Sequence, residues 1–294
     1  MKISIAGYTG FVGSNLYKYL FNLNKYTILL YKYKTSNKNI LQNTDVIVNL
    51  IGKAHDLKGI SNTDDYYFVN YDITKEVFND FLSSSAKKFI FLSSIKVVTD
   101  FADSVIDENF ENSPKTHYGL SKLMAENYIL SHENYKNKLV YILRPSIIYG
   151  PNNKGNLPFL FNFISKFRFW PLGSFNNERS FCSVDNLNFV INEIIERNDI
   201  PSGVYNVCDS EILTLNKLIN IFSKIINKKI YIIKIPKFII IFLAKFCDLF
   251  NLPISTYKLN KLTESYVLSN KKLLQSLGKD LPIKTEAGLI ATFK

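Results

Sequence analysis

Apolar runs and amphipathic segments alternate along the first half of the chain. The apolar runs have the length of strands, and in the longer segments between them apolar positions recur every three or four residues, as in helices packed on one face. Continuous apolar runs separated by helices are typical of a parallel sheet covered on both faces, so we predict an α/β fold with a doubly wound parallel sheet. The predicted strands are 2–6, 26–31, 45–51, 88–92 and 139–144, and the predicted helices are 11–21, 65–82 and 118–131.

The alternation ends at Pro145. A turn-rich loop at 150–156 follows, and the rest of the chain predicts mainly helices, with short strands at 204–207 and 230–233. This pattern predicts a second, smaller lobe of mixed α/β structure. The predicted sheet domain comprises residues 1–150 plus about 181–208, and the predicted small lobe comprises 151–180 plus 209–294.

Gly7, Gly10 and Gly13 lie between the first predicted strand and the first predicted helix. Glycine at this place allows a tight turn and a close approach of the backbone to a pyrophosphate, whose charge the helix N-terminus favours. The loop therefore predicts a dinucleotide-binding fold of the Rossmann type. The neighbouring residues that would also contact the cofactor are Thr9, Phe11 and Val12.

The end of the second predicted strand bears on which dinucleotide binds. An acidic residue there would hold the adenosine ribose and favour NAD, but this chain has Tyr31-Lys-Tyr-Lys34. Lys32 is a candidate to contact a 2′-phosphate, so we predict NADP or NAD and favour NADP. Because only the short segment 32–44 leads to the next predicted strand, we expect the edge strand on this side to be missing or vestigial and the adenine end of the site to be more open.

One tyrosine–lysine pair suggests catalysis. The spacing Tyr-x-x-x-Lys occurs at Tyr71/Lys75, Tyr118/Lys122 and Tyr257/Lys261. Only the second pair follows a predicted strand that ends in hydroxyls, at Ser93-Ser94. Lys122 would share a helix face with Tyr118, and we expect its ammonium to lower the pKa of the phenol, which is about 10 when free. With Ser94 bonded to the same substrate oxygen, the site suits alcohol–ketone interconversion with hydride transfer to a nicotinamide.

Composition argues against several other functions. The net charge is +11 at pH 7, but the basic residues are scattered, and no basic run is interleaved with aromatic residues, which argues against nucleic-acid binding. The three cysteines fit no metal or redox spacing, so we expect neither a metal site nor a disulfide. No signal peptide is evident at the N-terminus, and the expected location is the cytoplasm.

Four motifs occur together: the glycine loop, Ser93-Ser94, Tyr118-Gly-Leu-Ser-Lys122 and Leu143-Arg-Pro-Ser-Ile-Ile-Tyr-Gly-Pro151. In this combination the chain resembles the extended short-chain dehydrogenases/reductases, in the NAD-dependent epimerase/dehydratase family. The resemblance implies a nucleotide-sugar substrate, a homodimer, and catalysis by Ser94, Tyr118 and Lys122. It also implies that the cofactor is lined by the loop glycines together with Leu50, Asn70 and Pro145.

Three residues are candidates for substrate binding: Ser93, Asn156 and Arg179. The planar guanidinium of Arg179 suits a diphosphate, because it offers several donors in a fixed plane. The surrounding motifs resemble a bacterial subgroup that acts in surface-polysaccharide biosynthesis. These motifs are Lys53-Ala-His55, Ser94-Ile-Lys-Val97, Lys154-Gly-Asn156 and Asn177-Glu-Arg-Ser180.

Several activities could use this site. Dehydration needs a further acid/base pair, and the resemblance places it directly after the strand-end hydroxyl, where this chain has Ile95 and Lys96. The remaining predictions are a 4-ketoreductase, which we favour because the lysine-rich edge suits an exchangeable NADP, and a UDP-glucose or UDP-N-acetylglucosamine 4-epimerase. A third alternative of another class is a non-catalytic NAD(P)-binding sensor or scaffold.

The stretch 235–250 contains an apolar run, 238–244, that is bounded by Lys237 and Lys245. It could lie at a membrane surface, but its apolar core is too short to span a bilayer. We favour a helix packed in the small lobe.

Overall fold

The computed structural model describes residues 1–34, 39–54, 62–99, 102, 104–132, 137–153, 155–250 and 256–294. The strands are β1 (Lys2–Ala6), β2 (Thr27–Tyr31), β3 (Val46–Asn49), β4 (Lys88–Leu92), β5 (Leu139–Pro145), β6 (Ile147–Tyr149), β7 (Phe169–Trp170), β8 (Glu178–Arg179), β9 (Phe181–Ser183), β10 (Gly203–Val207), β11 (Leu213–Thr214) and β12 (Tyr231–Ile232). The helices are α1 (Phe11–Asn22), α2 (Asn39–Gln42), α3 (Thr63–Tyr67), α4 (Ile73–Ser83), α5 (His117–Leu130), α6 (Asn156–Phe167), α7 (Val184–Glu196), α8 (Leu215–Ile225), α9 (Lys237–Leu249), α10 (Thr256–Thr263), α11 (Lys271–Leu277) and α12 (Thr285–Phe293).

Six parallel strands form the central sheet, in the order β10-β5-β4-β3-β1-β2. The chain moves from β1 to β2 on one side and then crosses to β3 on the other side of β1. This reversal opens a crevice at the carboxyl ends of β1 and β3, where ligands of doubly wound sheets bind. The predicted α/β fold with a doubly wound sheet is confirmed.

Both faces of the sheet are buried. Along β4, Phe89 and Phe91 pack into one core with α4 and α5, whereas Ile90 packs into the opposite core with α1 and α7. Successive side chains of a strand point to opposite faces, so a continuous apolar run is what a sheet covered on both sides requires. This three-layer packing explains why the strands were readable from the sequence.

The sheet ends at β2 on one side. Among the described residues of segment 32–44, the only regular element is the four-residue helix α2. The prediction that an edge strand is missing here is confirmed for the part of this segment that the structure covers. Consequently, the backbone of β2 borders the place where the adenine end of a dinucleotide is expected.

The predicted helix at 65–82 is interrupted. A π-helical segment, Phe68–Asp72, separates α3 from α4. Such segments insert an extra residue into the turn and occur frequently at functional sites. Here the segment carries Asn70, which sequence reasoning had placed at the cofactor site.

A second core forms outside the sheet. It joins α6, α8 and α12 around buried residues such as Trp170, Phe181 and Phe222. The division of the chain into two domains stays a prediction. No described helix is long and apolar enough to cross a bilayer.

Candidate active site

The glycine loop forms a tight turn against the next strand of the sheet. Gly7 has a φ of +84°, and a Cβ atom on it would lie 2.7 Å from the carbonyl carbon of Leu50. A Cβ atom on Gly13 would overlap the carbonyl oxygen of Gly7. Both positions therefore require glycine, and their packing brings the start of α1 close to the ends of β1 and β3.

The first turn of α1 is suited to a phosphate. Gly10 is its N-cap residue and contributes no side-chain hydrogen bond. Phe11 and Val12 follow in the first turn, and Thr9 is an exposed loop residue directly before the cap. A helix N-terminus without a side-chain cap presents N–H groups and the positive end of the helix dipole. The residues present thus fit the diphosphate of a dinucleotide.

Tyr118 lies next to Ser94, as the sequence predicted. Thr116 caps α5, since its hydroxyl accepts a hydrogen bond from Gly119 N at 3.2 Å. A Cβ atom on Gly119 would overlap the carbonyl oxygen of Lys96, so this glycine lets the start of α5 contact the turn that follows Ser94. The contact places the Tyr118 phenol close enough to the Ser94 side chain for Ser94 to lower the pKa of Tyr118.

Lys122 lies one turn further along α5, at the carboxyl ends of β3 and β4. Its ammonium donates to Leu92 O at 2.9 Å and to Ile51 O at 3.2 Å, and its Nζ lies 4.6 Å from the centre of the Phe91 ring. Gly52 leaves room for it, because a Cβ atom there would lie 3.0 Å from Nζ. Burial lowers the pKa of Lys122 to about 7.

The pKa of Tyr118 differs from the sequence prediction. We expected the neighbouring ammonium to lower it, but in the protein alone burial raises the pKa of Tyr118, and the Ser94 side chain opposes the shift only in part. The physical reason is that removing a phenolate from water costs more than one hydrogen bond returns. The protein by itself therefore keeps Tyr118 protonated at neutral pH.

Asn70 connects the loop after β3 to α5. Its Oδ1 accepts from Lys53 N at 2.8 Å, and its Nδ2 donates to Ser121 Oγ at 2.9 Å and to Lys53 O at 3.2 Å. The bonds to Lys53 fix the position of the adjacent Gly52, which leaves room for the Lys122 ammonium. In the structure Asn70 thus positions the predicted site.

An ion pair lies beneath Lys122. Glu126, the next residue on the same helix face, accepts from Nη2 of Arg144 at 2.6 Å and from Nε at 3.1 Å, and both side chains are buried. The Glu126 carboxylate also raises the pKa of Lys122, against the larger effect of burial. Sequence reasoning missed this pair, although Glu126 stands four residues after Lys122.

The candidate substrate residues lie in different surroundings. The buried hydroxyl of Ser93 has no hydrogen-bond partner in the described part of the chain, which fits a residue awaiting a ligand. Arg179 donates from Nη2 to Glu264 O at 3.2 Å, and its backbone bridges to Tyr266. The Tyr266 hydroxyl donates to Ile95 O at 3.2 Å, which connects the strand of Arg179 with the turn after Ser94. Asn156 is exposed at the start of α6.

The remaining predicted cofactor residues lie at strand ends. Leu50 follows β3, and its N–H donates to Ala6 O at 2.9 Å, while Pro145 ends β5 and pairs with Val207 of β10. Lys32 is exposed directly after the edge strand β2. His55, in one of the motifs quoted above, lies outside the described residues, as does Lys154.

Comparison with known proteins identifies the family. Residues 3–208 match the model of the NAD dependent epimerase/dehydratase family. The chain belongs to this family. It is therefore an NAD(P)-dependent enzyme of the extended short-chain dehydrogenase/reductase type, and the predicted family and cofactor class are confirmed.

Individual relatives cover most of the chain. A UDP-glucose 4-epimerase of Vibrio cholerae is 29% identical over 258 residues, which are 80% of this chain and 79% of the relative. An N-acetyl-alpha-D-glucosaminyl-diphospho-ditrans,octacis-undecaprenol 4-epimerase of Escherichia coli O157:H7 is 28% identical over 252 residues, 80% of this chain and 75% of the relative. The solved UDP-glucuronic acid 4-epimerase of Bacillus cereus, in complex with NAD, shares the fold with a TM-score of 0.76 at 18% identity, covering 100% of this chain and 97% of that one.

Proposed function

We propose that this family member is an NAD-dependent 4-epimerase of a UDP-hexose or UDP-N-acetylhexosamine. The observation that carries the proposal is a site with one proton-transfer residue, Tyr118, which lies beside Ser94 and one helical turn before the buried Lys122. Ile95 is buried in an apolar cluster, and the Lys96 ammonium lies 4.4 Å from the centre of the Tyr266 ring. Neither residue offers the carboxylate pair that dehydration needs.

The proposal departs from the 4-ketoreductase that the sequence favoured. That preference depended on lysines at the adenine edge, and lysine is common throughout this chain. Both relatives described above that cover four fifths of the chain are 4-epimerases. Epimerisation uses the same residues as reduction, so the similarity of the relatives favours it.

Epimerisation at C4 requires transfer of a hydride and of a proton, and different groups of the site would carry out each transfer. The glycine loop would hold a dinucleotide whose nicotinamide would supply the hydride acceptor and donor for C4 of the sugar, with delivery to the opposite face giving the epimer. Tyr118 Oη would take the proton of the C4 hydroxyl and give it back, while the Ser94 hydroxyl holds the same oxygen. Because burial raises the pKa of the Tyr118 phenol, loss of its proton requires positive charge nearby. We expect the Lys122 ammonium, one turn further along α5, and an oxidised nicotinamide to supply this charge together.

A second candidate substrate is an N-acetylhexosamine linked through diphosphate to a polyprenol. The name of the Escherichia coli relative suggests it, and one observation on this chain favours it: α9 exposes Phe238, Phe242 and Leu249 to solvent. The chemistry at C4 would be the same. Only the group beyond the diphosphate would differ.

The decisive experiment follows the sugar and the cofactor together. Purified protein is incubated with UDP-glucose, UDP-N-acetylglucosamine or the polyprenol-linked sugar, and C4 epimers are detected by NMR, with and without added NAD. Tyr118→Phe should lower the rate by about 10²–10⁴-fold. Tyr71→Phe is the matched control, because Tyr71 has the same spacing to a lysine but lies in the π-helical segment.

Other outcomes would replace the proposal. Consumption of NADPH in proportion to an added 4-keto sugar, without epimer formation from any of the three substrates, would establish the ketoreductase. Tight nicotinamide binding without turnover, together with unchanged biological function of Tyr118→Phe, would favour the sensor.

A further inference from the structure

Helix α9 exposes apolar side chains around most of its circumference. Ala244 is its one buried residue, and Ile240 and Cys247 lie half-buried on the same face. On the other sides Phe238 is 72% exposed, Phe242 68% and Leu249 76%. A helix that packs along one stripe normally has polar residues elsewhere, so this apolar exposure indicates an interaction surface.

The exposed apolar surface continues into the preceding strand. Tyr231 and Ile233 are exposed, and Tyr231 pairs with the exposed Phe169 of β7. We call residues 231–250 the α9 surface. The sequence favoured a helix packed in the small lobe, but the structure shows packing along a single stripe of α9.

The charges on and beside this surface are almost all positive. Its only acidic residue is Asp248, whose carboxylate accepts hydrogen bonds from Thr256 N at 3.1 and 3.2 Å at the start of α10. Five lysines lie on it or directly before it, all exposed: Lys228, Lys229, Lys234, Lys237 and Lys245. Apolar side chains bordered by lysines complement a surface that is apolar inside and negatively charged outside.

This composition fits a lipid surface better than a protein partner. Protein interfaces are enriched in aromatic residues, as the α9 surface is, but they are depleted of lysine, whereas five exposed lysines lie on this surface or directly before it. Helices that lie in the membrane interface combine an apolar face with lysines beside it. With 13 residues, α9 is about 20 Å long and too short to cross a bilayer.

We propose that the α9 surface docks the protein on an anionic lipid bilayer, with α9 parallel to the membrane plane and its phenylalanines inserted among the acyl chains near the headgroups. The lysines would contact the headgroup phosphates. Docking on lipid does not depend on the proposed epimerase activity, because it uses none of the residues of the candidate active site.

Vesicle binding of the full chain tests this directly. Co-sedimentation is measured with vesicles of phosphatidylglycerol and phosphatidylcholine in equal amounts, and with phosphatidylcholine alone. We expect binding to the anionic vesicles that is at least about tenfold tighter than to the neutral ones. Removing charge with Lys237→Gln and Lys245→Gln should weaken binding about fivefold for each lysine.

Apolar insertion has its own variants. Phe238→Asp with Phe242→Asp should reduce anionic vesicle binding at least about tenfold. Phe21→Asp is the matched control, because Phe21 is an exposed phenylalanine on α1, and it should bind as the unmodified chain does. The thermal unfolding midpoint and the rate with UDP-glucose in solution show whether each variant is folded, and both should be unchanged.

A fluorescence reporter places the helix at the membrane. The single tryptophan, Trp170, is buried, so Phe242→Trp adds a reporter in α9 whose emission should shift to shorter wavelength with anionic vesicles and be quenched by brominated lipid. Absence of vesicle binding by the unmodified chain would overturn the proposal, as would equal binding by the double aspartate variant. Self-association that the double variant abolishes, without lipid binding, would assign the surface to a second copy.

Discussion

Replacing Lys122 with methionine should stabilise the cofactor-free protein at neutral pH while it abolishes catalysis. The side chain is 3% exposed, and burial lowers its pKa from 10.5 to about 7. Between these two values the unfolded chain binds a proton that the folded chain does not. The free energy of unfolding therefore rises with pH over this window, and the full cost of burying the charge is present below about pH 7.

The magnitude follows from the pKa difference. At about 1.4 kcal/mol per pKa unit, burying the ammonium costs about 5 kcal/mol at low pH, and about 2 kcal/mol of this disappears between pH 7 and pH 9. Methionine also loses the two hydrogen bonds to Ile51 O and Leu92 O, which offset about 1–3 kcal/mol. At pH 7 the cost is about 4 kcal/mol, so the expected net gain is about 1–3 kcal/mol.

Urea unfolding at pH 7 and pH 9 measures this on protein stripped of nicotinamide. The advantage of Lys122→Met over the unmodified chain should shrink by about 2 kcal/mol as the pH rises. Lys75→Met is the control, since Lys75 belongs to a Tyr-x-x-x-Lys pair of the same spacing but is exposed on α4. The reasoning is refuted if Lys122→Met is less stable than the unmodified chain at pH 7 by an amount that does not change with pH.

Three further substitutions test the site. Gly13→Ala should lower the free energy of unfolding in urea by about 1–3 kcal/mol and weaken NAD binding in a fluorescence titration. Gly155→Ala is the control and should do neither, because the atom nearest to its added Cβ belongs to a side chain. Equal NAD affinity of the two variants would contradict the tight packing of the loop. Glu126→Gln leaves the buried Arg144 without its partner and should cost about 3–5 kcal/mol by the same measurement, and a loss below about 1 kcal/mol would show that the pair is not needed. Lys32→Glu should weaken NADP binding about tenfold or more relative to NAD binding in a fluorescence titration, and an unchanged ratio of the two affinities would remove Lys32 from the site.

The fold was predictable because its strands have a strong local signal. β4, for example, is apolar at every position after Lys88, since both faces of the sheet are covered. The short strands β6 to β9 and β11 were missed, because each has two or three residues and forms only by pairing with a distant segment. The interruption of the predicted helix 65–82 was missed for the same reason. Asn70 in the π-helical segment forms hydrogen bonds with Lys53 and Ser121, which are far from it in sequence.

The sequence by itself determined which residues meet in the candidate site. The loop glycines, the strand-end serine and the Tyr118/Lys122 spacing are local patterns, and the parallel sheet brings the carboxyl ends of its strands to one edge. Only the tertiary structure decided the electrostatics and the exposure. Burial raises the pKa of the half-buried Tyr118 and lowers that of the buried Lys122, and α9 presents phenylalanines to solvent because only one stripe of it packs. Burial depends on contacts between segments that are far apart in the chain, and a local sequence pattern does not predict these contacts.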